Sequence, residues 1–316
     1  MKIATVTLNP AIDQTVRVDN FRPNTVNYAR AMQFDAGGKG VNVASALADV
    51  GYDVAMTGFL GQENAGIFEQ FFSSKHIDDQ FVRIPGRTRI GVKIVDEANQ
   101  QTTDINMPGL PPPAEAMDTL FKAIERLAAT CDWFVLSGTL PIGVPASTYA
   151  TLITQLKEHG KQVVLDTSRD ALREGIAAGP TVVKPNIDEL RQLTGQSLTD
   201  EVALERAARQ LLARGTQLVV ISMGERGAMF VGPTTTLIAV PPPVKVKSTV
   251  GAGDAMVAGL IAGQVQGLSL PDCARLATAF SLRMITHARS HLPVPEVLQA
   301  YVQQVSIHPN INRHSS

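Results

Sequence analysis

Apolar residues along the chain fall into two rhythms. Compact, mostly β-branched or aromatic runs occupy residues 3–7, 52–60, 133–136, 163–165, 181–183 and 218–221. Such runs are apolar at consecutive positions and fit strands buried on both faces, as in a parallel sheet. Between them the period lengthens. Val41, Ala44, Leu47 and Ala48 recur at helical spacing, and helices are predicted over 146–159, 168–178, 188–193 and 202–213. Gly51, Gly160, Gly195 and Gly215 stand where helices stop. Repeated strand and helix alternation predicts an α/β sheet covered by helices on both faces.

Two stretches break the alternation. Residues 16–34 and 88–106 read as strands with no helix between them, and 91–96 alternates in part, as a half-exposed strand does. They are expected to pair into a small antiparallel sheet beside the main one, with the proline-rich 108–113 as its exit. No repeat or low-complexity segment is present. The expectation is one domain over 1–316 with a β-layer inserted from about 10–35 and 86–107.

Composition narrows the function. The 316 residues are 44% hydrophobic and 18% charged, with a formal net charge of −1. That balance is globular and gives no whole-surface attraction to nucleic acid or to an anionic membrane. An anionic ligand would need local positive charge. Cys131 and Cys273 are far apart, with no CxxC or Cys/His cluster, so neither a zinc site nor a disulfide scaffold is expected, and a reduced cytoplasm is the simplest home. The N-terminus reaches Asn9, Pro10 and Asp13 too soon for a signal peptide. The apolar stretch 250–265 is shorter than a membrane span and carries Asp254.

Four segments carry candidate chemistry. In Ser248-Thr249-Val250-Gly251-Ala252-Gly253-Asp254 the glycines open an apolar helical stretch. Its unobstructed amides could hold an anion, and Asp254 in the first turn could accept the proton of an attacking hydroxyl. A glycine turn with a capping aspartate is the other reading. Gly37-Gly38-Lys39-Gly40-Val41-Asn42 also precedes a helix. It lacks Walker A spacing, and Val43 stands where a dinucleotide fingerprint needs its last glycine. Lys39 could meet a phosphate and Asn42 a sugar hydroxyl, unless this is a turn with an exposed lysine. In Lys184-Pro185-Asn186-Ile187-Asp188-Glu189, Asn186 and Glu189 stand three apart. That spacing suits oxygen ligation of Mg²⁺ and equally a helix capping box. Ser222-Met223-Gly224-Glu225-Arg226-Gly227 joins two apparent strands and would let a nucleotide lie against the backbone.

Together these segments resemble the PfkB (ribokinase-like) carbohydrate kinases over nearly the whole chain. The resemblance implies a three-layer α/β/α sandwich with a mostly parallel central sheet and a small antiparallel β-sheet lid. It implies Asp254 as catalytic base, with the amides of Gly251, Ala252 and Gly253 as anion hole. Asp13, Asn27, Gly37, Gly38, Lys39, Asn42, Arg89 and Ser137 match positions that bind substrate. Lys184, Ser222, Gly224, Glu225, Gly227 and Thr249 match ATP-binding positions, and Asn186 with Glu189 matches the magnesium motif. Mg²⁺ with ATP is the implied cofactor, and a homodimer formed through the lid the implied assembly. Family members carry a glycine-containing loop near the last helix, close to adenine and a monovalent-cation site. Residues 286–293 here contain no glycine, which leaves K⁺ dependence and adenine contacts open.

Thr25-Val26-Asn27, the loop lysine, and Gly86 through Lys93 are similar to 1-phosphofructokinases, with tagatose-6-phosphate kinases as close relatives. Lys39 and Arg89, with Arg87 or Lys93 nearby, would supply the local charge for a sugar phosphate. The implied reaction is fructose 1-phosphate plus ATP. The alternatives are a tagatose 6-phosphate or fructose 6-phosphate kinase, and a non-catalytic sugar-phosphate-binding regulator, which would have no need of both Asp254 and its glycine loop. The tail from 309 to 316 is expected to fray.

Overall fold

The runs that are apolar at consecutive positions become strands with two buried faces. Ile3 packs into one core layer and Ala4 and Val6 into the other; Val135 and Phe134 divide in the same way. The computed structural model describes residues 1–287 and 295–309. In chain order the elements are β1 (Lys2–Thr7), β2 (Ala11–Val18), β3 (Ala29–Gly37), α1 (Lys39–Asp49), β4 (Asp53–Gly61), α2 (Gly66–Lys75), β5 (Asp78–Asp79), β6 (Val82–Ile84), β7 (Ile90–Asp96) and β8 (Gln101–Asn106). Then come α3 (Ala114–Ala128), β9 (Cys131–Ser137), α4 (Thr148–Glu158), β10 (Gln162–Asp166), α5 (Arg169–Ala177), β11 (Val182–Val183), α6 (Ile187–Thr194) and α7 (Glu201–Leu212). The last elements are β12 (Leu218–Ser222), β13 (Ala228–Val231), β14 (Thr236–Val240), α8 (Ala252–Val265), α9 (Leu270–Thr286), α10 (Pro295–Val302) and β15 (Ser306–Pro309).

The main sheet runs β15-β14-β13-β12-β11-β10-β9-β1-β4-β5, with β6 also on β4. It is parallel from β12 to β5 and antiparallel from β12 to β15. Helices α1, α2, α8 and α9 bury their apolar side chains on one face, and α3 to α7 bury theirs on the other. The expected three-layer α/β/α sandwich is therefore present. Helices α2, α3 and α9 add to those that the spacing predicted. Pro309 pairs with Leu237 at the sheet edge, and the rest of the expected frayed tail lies outside the described residues. Among the described residues no helix is long and apolar enough to cross a membrane.

The chain leaves β1 through α1 on one face and β9 through α4 on the other. Helices diverging from adjacent strands open a crevice at the carboxyl edge of the sheet, where open α/β folds place ligands. The predicted second sheet lies beside it in the order β3-β2-β7-β8. Two antiparallel hairpins, β2–β3 and β7–β8, are joined by a parallel β2–β7 contact.

Helix α8 is buried on all sides, and Gly259 is where α9 crosses it. A Cβ at 259 would lie 2.8 Å from Ala277 Cα and 2.9 Å from Phe280 Cγ. In an exposed helix, Gly to Ala gains about 1 kcal/mol of propensity. Here overpacking wins: Gly259→Ala is expected to destabilise by about 1–3 kcal/mol. The measurement is a urea midpoint at constant m-value, and an unchanged or raised midpoint would contradict so close a crossing.

Candidate active site

Strand register sets a polar row along the crevice. Asp166 is aligned with Ser137, and Val183, one residue before Lys184, is aligned with Leu165. Val6 aligns with Leu136, which puts Thr7 beside Ser137. These side chains share the face that carries α1 and α8, because the residues two before them (Thr7 excepted, whose parity follows Ile3) pack into that layer. The row ends the strands β1, β9, β10 and β11 in polar groups after long apolar runs.

Asp166 is the centre of the row and is fully buried. Its Oδ1 accepts from Lys39 Nζ at 2.9 Å and faces Lys184 Nζ at 3.5 Å. Burial would favour the neutral acid, but the two ammoniums overcome it and hold the carboxyl below the usual carboxylate range. Burial likewise works against the charge on Lys39, and Asp166, Glu189 and Asp254 outweigh it, so its pKa is raised. Each charge is tolerable in the interior only because of the others.

Asp254 lies above this row at the start of α8 and is 7% exposed. Helix α8 begins at Gly251, whose φ of 76° is left-handed, and no side chain caps its first turn. Uncapped amides at a helix N-terminus favour an anion. Lys184 lies under the same turn: a Cβ at Gly253 would be 3.2 Å from its Nζ. Asn42, in the first turn of α1, donates from Nδ2 to Asp254 Oδ2 at 2.7 Å and ties the two helix starts together. Burial and the charge of Asp166 push Asp254 up to about 6, against the opposing pull of Asn42, Lys39 and Lys184. A carboxylate with a pKa near the working pH is suited to proton abstraction.

The glycine loop before α1 has tight steric reasons. A Cβ at Gly40 would run into Thr7 Oγ1 and come within 3.0 Å of Ser137 Oγ. A Cβ at Gly37 would meet the Asp13 carboxyl at 2.5 Å, and Gly38 is left-handed at φ 122°. Asp13 lies on the lid, where burial raises its pKa, Lys93 and Arg89 pull it down, and Asp35 and Asp104 add to the rise. The Arg89 guanidinium donates to Asn9 Oδ1 at 3.1 Å and to the Asn9 carbonyl at 3.2 Å. Among the described residues it has no carboxylate within ion-pair distance, and burial lowers its pKa against the pull of Asp13.

The structure distributes the expected site residues unevenly. Lys39, Asn42, Lys184 and Asp254 converge. Ser137 is fully buried beneath Gly40, and among the described residues its hydroxyl has no hydrogen-bond partner. Ser222 follows the same edge on β12, its amide donating to the Pro185 carbonyl. Gly224, Glu225 and Gly227 form a turn after it, in which a Cβ at Gly227 would run into the Ala239 carbonyl. Thr249 lies in the exposed approach to α8, its carbonyl accepting from Ala252 N at 3.3 Å. Asn27 sits in the far turn of the β2–β3 hairpin, bonded to the Arg22 amide and carbonyl, at the opposite end from Asp13 and Gly37. Residues 288–293 of the glycine-free segment lie outside the described residues. Sequence reasoning missed Asp166, although its place at the carboxyl end of an apolar strand was the available signal.

Asn186 and Glu189 form a capping box: Asn186 Oδ1 accepts from Glu189 N at 2.8 Å, and Glu189 Oε2 from Asn186 N at 2.9 Å. No cluster of three or more metal-binding side chains exists among the described residues. Glu189 nevertheless keeps its Oε1 free of the cap, and its charge is felt at Lys39. The donor set therefore fits a hydrated Mg²⁺ that arrives with phosphates, and does not fit an all-protein cage.

Two outcomes follow from the Asp254 environment. Its folded pKa of about 6 lies above the 3.8 of an unperturbed aspartate. Stability linked to it is therefore complete below about pH 4 and lost as the pH rises through 6. Asp254→Asn is expected to stabilise the fold at pH 8 by up to about 3 kcal/mol, with no gain at pH 4; denaturant melts at the two pH values check this. The acid limb of kcat/KM is expected near pH 6. Asn42→Ala, which removes a bond favouring the carboxylate, should move that limb to higher pH; a limb that stays or falls means the bond is absent in the working enzyme.

Comparison with known proteins agrees with this geometry. The profile described as pfkB family carbohydrate kinase matches residues 5–296. A 1-phosphofructokinase of Rhodobacter capsulatus is 47% identical over 308 residues, covering 97% of this chain and 98% of that protein. A 1-phosphofructokinase of Xanthomonas campestris pv. campestris is 46% identical over 301 residues, covering 94% and 95%. The crystal structure of phosphofructokinase-2 from Escherichia coli in complex with potassium superposes with a TM-score of 0.90 at 28% identity, covering 96% of this chain and 98% of that one. The chain belongs to the pfkB family of carbohydrate kinases.

Proposed function

We infer that this ATP-dependent sugar-phosphate kinase transfers the γ-phosphoryl group of ATP to D-fructose 1-phosphate, giving fructose 1,6-bisphosphate. The observation that carries the reading is the buried Asp254, with a pKa of about 6, at the uncapped glycine start of α8. Asn42 holds Oδ2, which leaves Oδ1 to take the proton of the acceptor hydroxyl. The amides of Gly251, Ala252 and Gly253 face the charge that develops on the transferred group, and Lys184 supports it from below. Mg²⁺, held through water by Asn186 and Glu189, would neutralise phosphate charge.

The existing phosphate of the sugar is assigned to Arg89. A half-buried guanidinium anchored by Asn9 and free of carboxylate partners is preorganised for a phosphate. Lys39 was expected to share that role. Its salt bridge to Asp166 puts it at the transfer end of the crevice, and the proposal places it there. Asp13, on the polar face of the lid, would bind sugar hydroxyls.

Lid pairing follows from register. Gln14, Phe34, Val92 and Ile105 are aligned across the four strands, as are Val16, Met32, Ile94 and Thr103. These rows form one mainly apolar face. Asp13, Asp35 and Asn106 alternate onto the other, with Thr15, Gln33, Lys93 and Asp104. On the apolar side Met32 is 58% exposed and Phe34 42%. Tyr28, at the hairpin end, is 83% exposed. A second copy covering this face, in a homodimer, is the occupant we favour, since an exposed apolar patch of this kind marks an interface.

The test is ADP release with Mg-ATP against fructose 1-phosphate, tagatose 6-phosphate, fructose 6-phosphate and fructose. Fructose 1-phosphate is expected to lead by at least about ten-fold in kcat/KM, and a lead by a 6-phosphate would overturn the substrate assignment. Asp254→Ala should lose at least about 10²-fold in kcat with ATP binding retained. Turnover above a tenth of wild type would remove Asp254 from the base role.

A further inference from the structure

The phosphate-binding charge assembled so far is incomplete. At the transfer end Lys39 and Lys184 share the carboxylate of Asp166, and Asp254 and Glu189 stand beside them. Two ammoniums thus face three carboxylates. A nucleotide triphosphate entering this crevice brings several further negative charges, of which one Mg²⁺ offsets two. A further cation on the nucleotide side, near Glu189, would offset part of that charge.

Arg169 stands at that place. It is the third residue beyond Asp166, at the start of α5, on the same carboxyl edge of the sheet. Its φ is +57°, in the left-handed region. Among the described residues the other non-glycine positions with positive φ are Asn20, Asn24, His76 and Gln100. Asn adopts this region with relative ease, His76 closes a helix, and Gln100 lies in the β7–β8 turn. A long side chain at the first position of a helix has no such excuse, since glycine would take the same turn without steric cost. Strain of this kind persists where the side chain is needed.

The surroundings say what the side chain can do. Arg169 lines a cavity of about 180 Å³ with Asp170, Leu172, Arg173, Glu189 and Gln192. Glu189 belongs to two neighbourhoods: it borders this cavity, and its charge acts on Lys39 at the transfer end. The cavity therefore adjoins the phosphate crevice. The neighbouring arginines are already paired on their own helices, Arg173 with Asp170 at 2.6 Å and Arg191 with Asp188 at 3.0 Å. Among the described residues Arg169 has no ion pair, and its side chain is exposed to the cavity mouth. The strained residue is thus also the one arginine here that is uncommitted.

We propose that Arg169 is a further nucleotide-binding residue, whose guanidinium takes a phosphate of ATP, and of the ADP left after transfer, beside the Asn186–Glu189 corner. This rests on the kinase reading above and adds a contact to it. A guanidinium presents two parallel donors to a phosphate, and an ammonium on the same backbone keeps the charge but loses that fork.

The test is direct binding of ADP and Mg-ATP by calorimetry, without sugar, to the wild type, Arg169→Gly and Arg169→Lys, with melting temperatures alongside. Arg169→Gly is expected to weaken nucleotide binding five- to twenty-fold and to leave the melting temperature equal or higher, because glycine relieves the strained φ. Arg169→Lys should fall between the two in affinity. In turnover assays KM for ATP should rise by a similar factor, and KM for the sugar phosphate should stay within two-fold. Nucleotide affinity within two-fold of wild type in Arg169→Gly would overturn the proposal, as would a lowered melting temperature with affinity lost only in proportion to unfolding. A wild type that binds nucleotide but turns over no sugar phosphate would leave this assignment standing and sink the substrate reading; a wild type that binds no nucleotide would sink both.

Discussion

A single buried carboxylate organises the crevice. Asp166 has almost no access to water, and an ionised carboxyl in that position survives only if cations come to it. Two do, from different parts of the chain: Lys39 from the glycine loop before α1 and Lys184 from the end of β11. The pairing fixes where the loop before α1 can sit, because Lys39 is its last turn into the helix. Through Asn42, the same helix start is tied to Asp254 and so to α8. Asp166, Lys39 and Lys184, with Asn42 and Asp254, thus link the ends of β10 and β11, the glycine loop and the two helix starts into one electrostatic unit. Asp254 keeps its proton to a higher pH than an exposed aspartate does, because its own burial and the charge of Asp166 outweigh the pull of Asn42, Lys39 and Lys184.

Much of this was legible in the sequence, and the reasons differ by level. The parallel sheet could be read because β1, β9, β10 and β12 are apolar at both parities, and only a strand with two covered faces needs that. Helix α8 could be read from its glycines and its apolar run. The position of Asp254 in its first turn followed from counting residues. Side-chain partners across the sheet could not be read. Lys39 is 127 residues from Asp166, and nothing local to either says that they meet. For that reason the lysine was expected on the substrate's phosphate. Asn186 and Glu189 show the opposite case. Their capping box is a local pattern three residues long, and both its readings, cap and magnesium corner, were visible from spacing. Ser137 was expected among the substrate contacts, and the structure buries it under Gly40, where only the register of β9 against β1 could have put it.

The lid shows how one alternation serves two surfaces. In β2 and β3 the side chains of Asp13 and Asp35 point one way and those of Gln14 and Phe34 the other. One face is polar and carries Asp13 against Gly37, and the other is apolar and exposed in one copy of the chain. A shift of the β2–β3 register by one residue would exchange the faces and carry Asp13 away from the site. The steric demand at Gly37, against which the Asp13 carboxyl lies, works against such a shift. The parallel β2–β7 contact has a further consequence. It brings Gly91 and Lys93 next to Asp13 and Thr15 without a direct turn between those strands, so Arg89 reaches the same corner from the start of β7. Under the proposed function, substrate binding and lid pairing would therefore depend on the same register.

The site is also where the fold gives up stability. Asp254 is buried with a charge it would rather lose near neutral pH, α1 and α8 start without side-chain caps, and Arg169 turns through a left-handed conformation. Each of these is unfavourable for folding, and each stands where the proposed function calls for holding phosphate or moving a proton. The compensation lies directly behind them. Helix α8 is apolar on every side and is seated between α1, the sheet and α9, with Gly259 and Gly263 allowing α9 to come close. A helix so enclosed cannot shift to relieve the strain at its own N-terminus. The packing of its middle thus holds its uncapped first turn in place, and Gly259, five residues and about 7.5 Å of helix rise from Asp254, is close enough for a change there to be felt at the site through that rigidity.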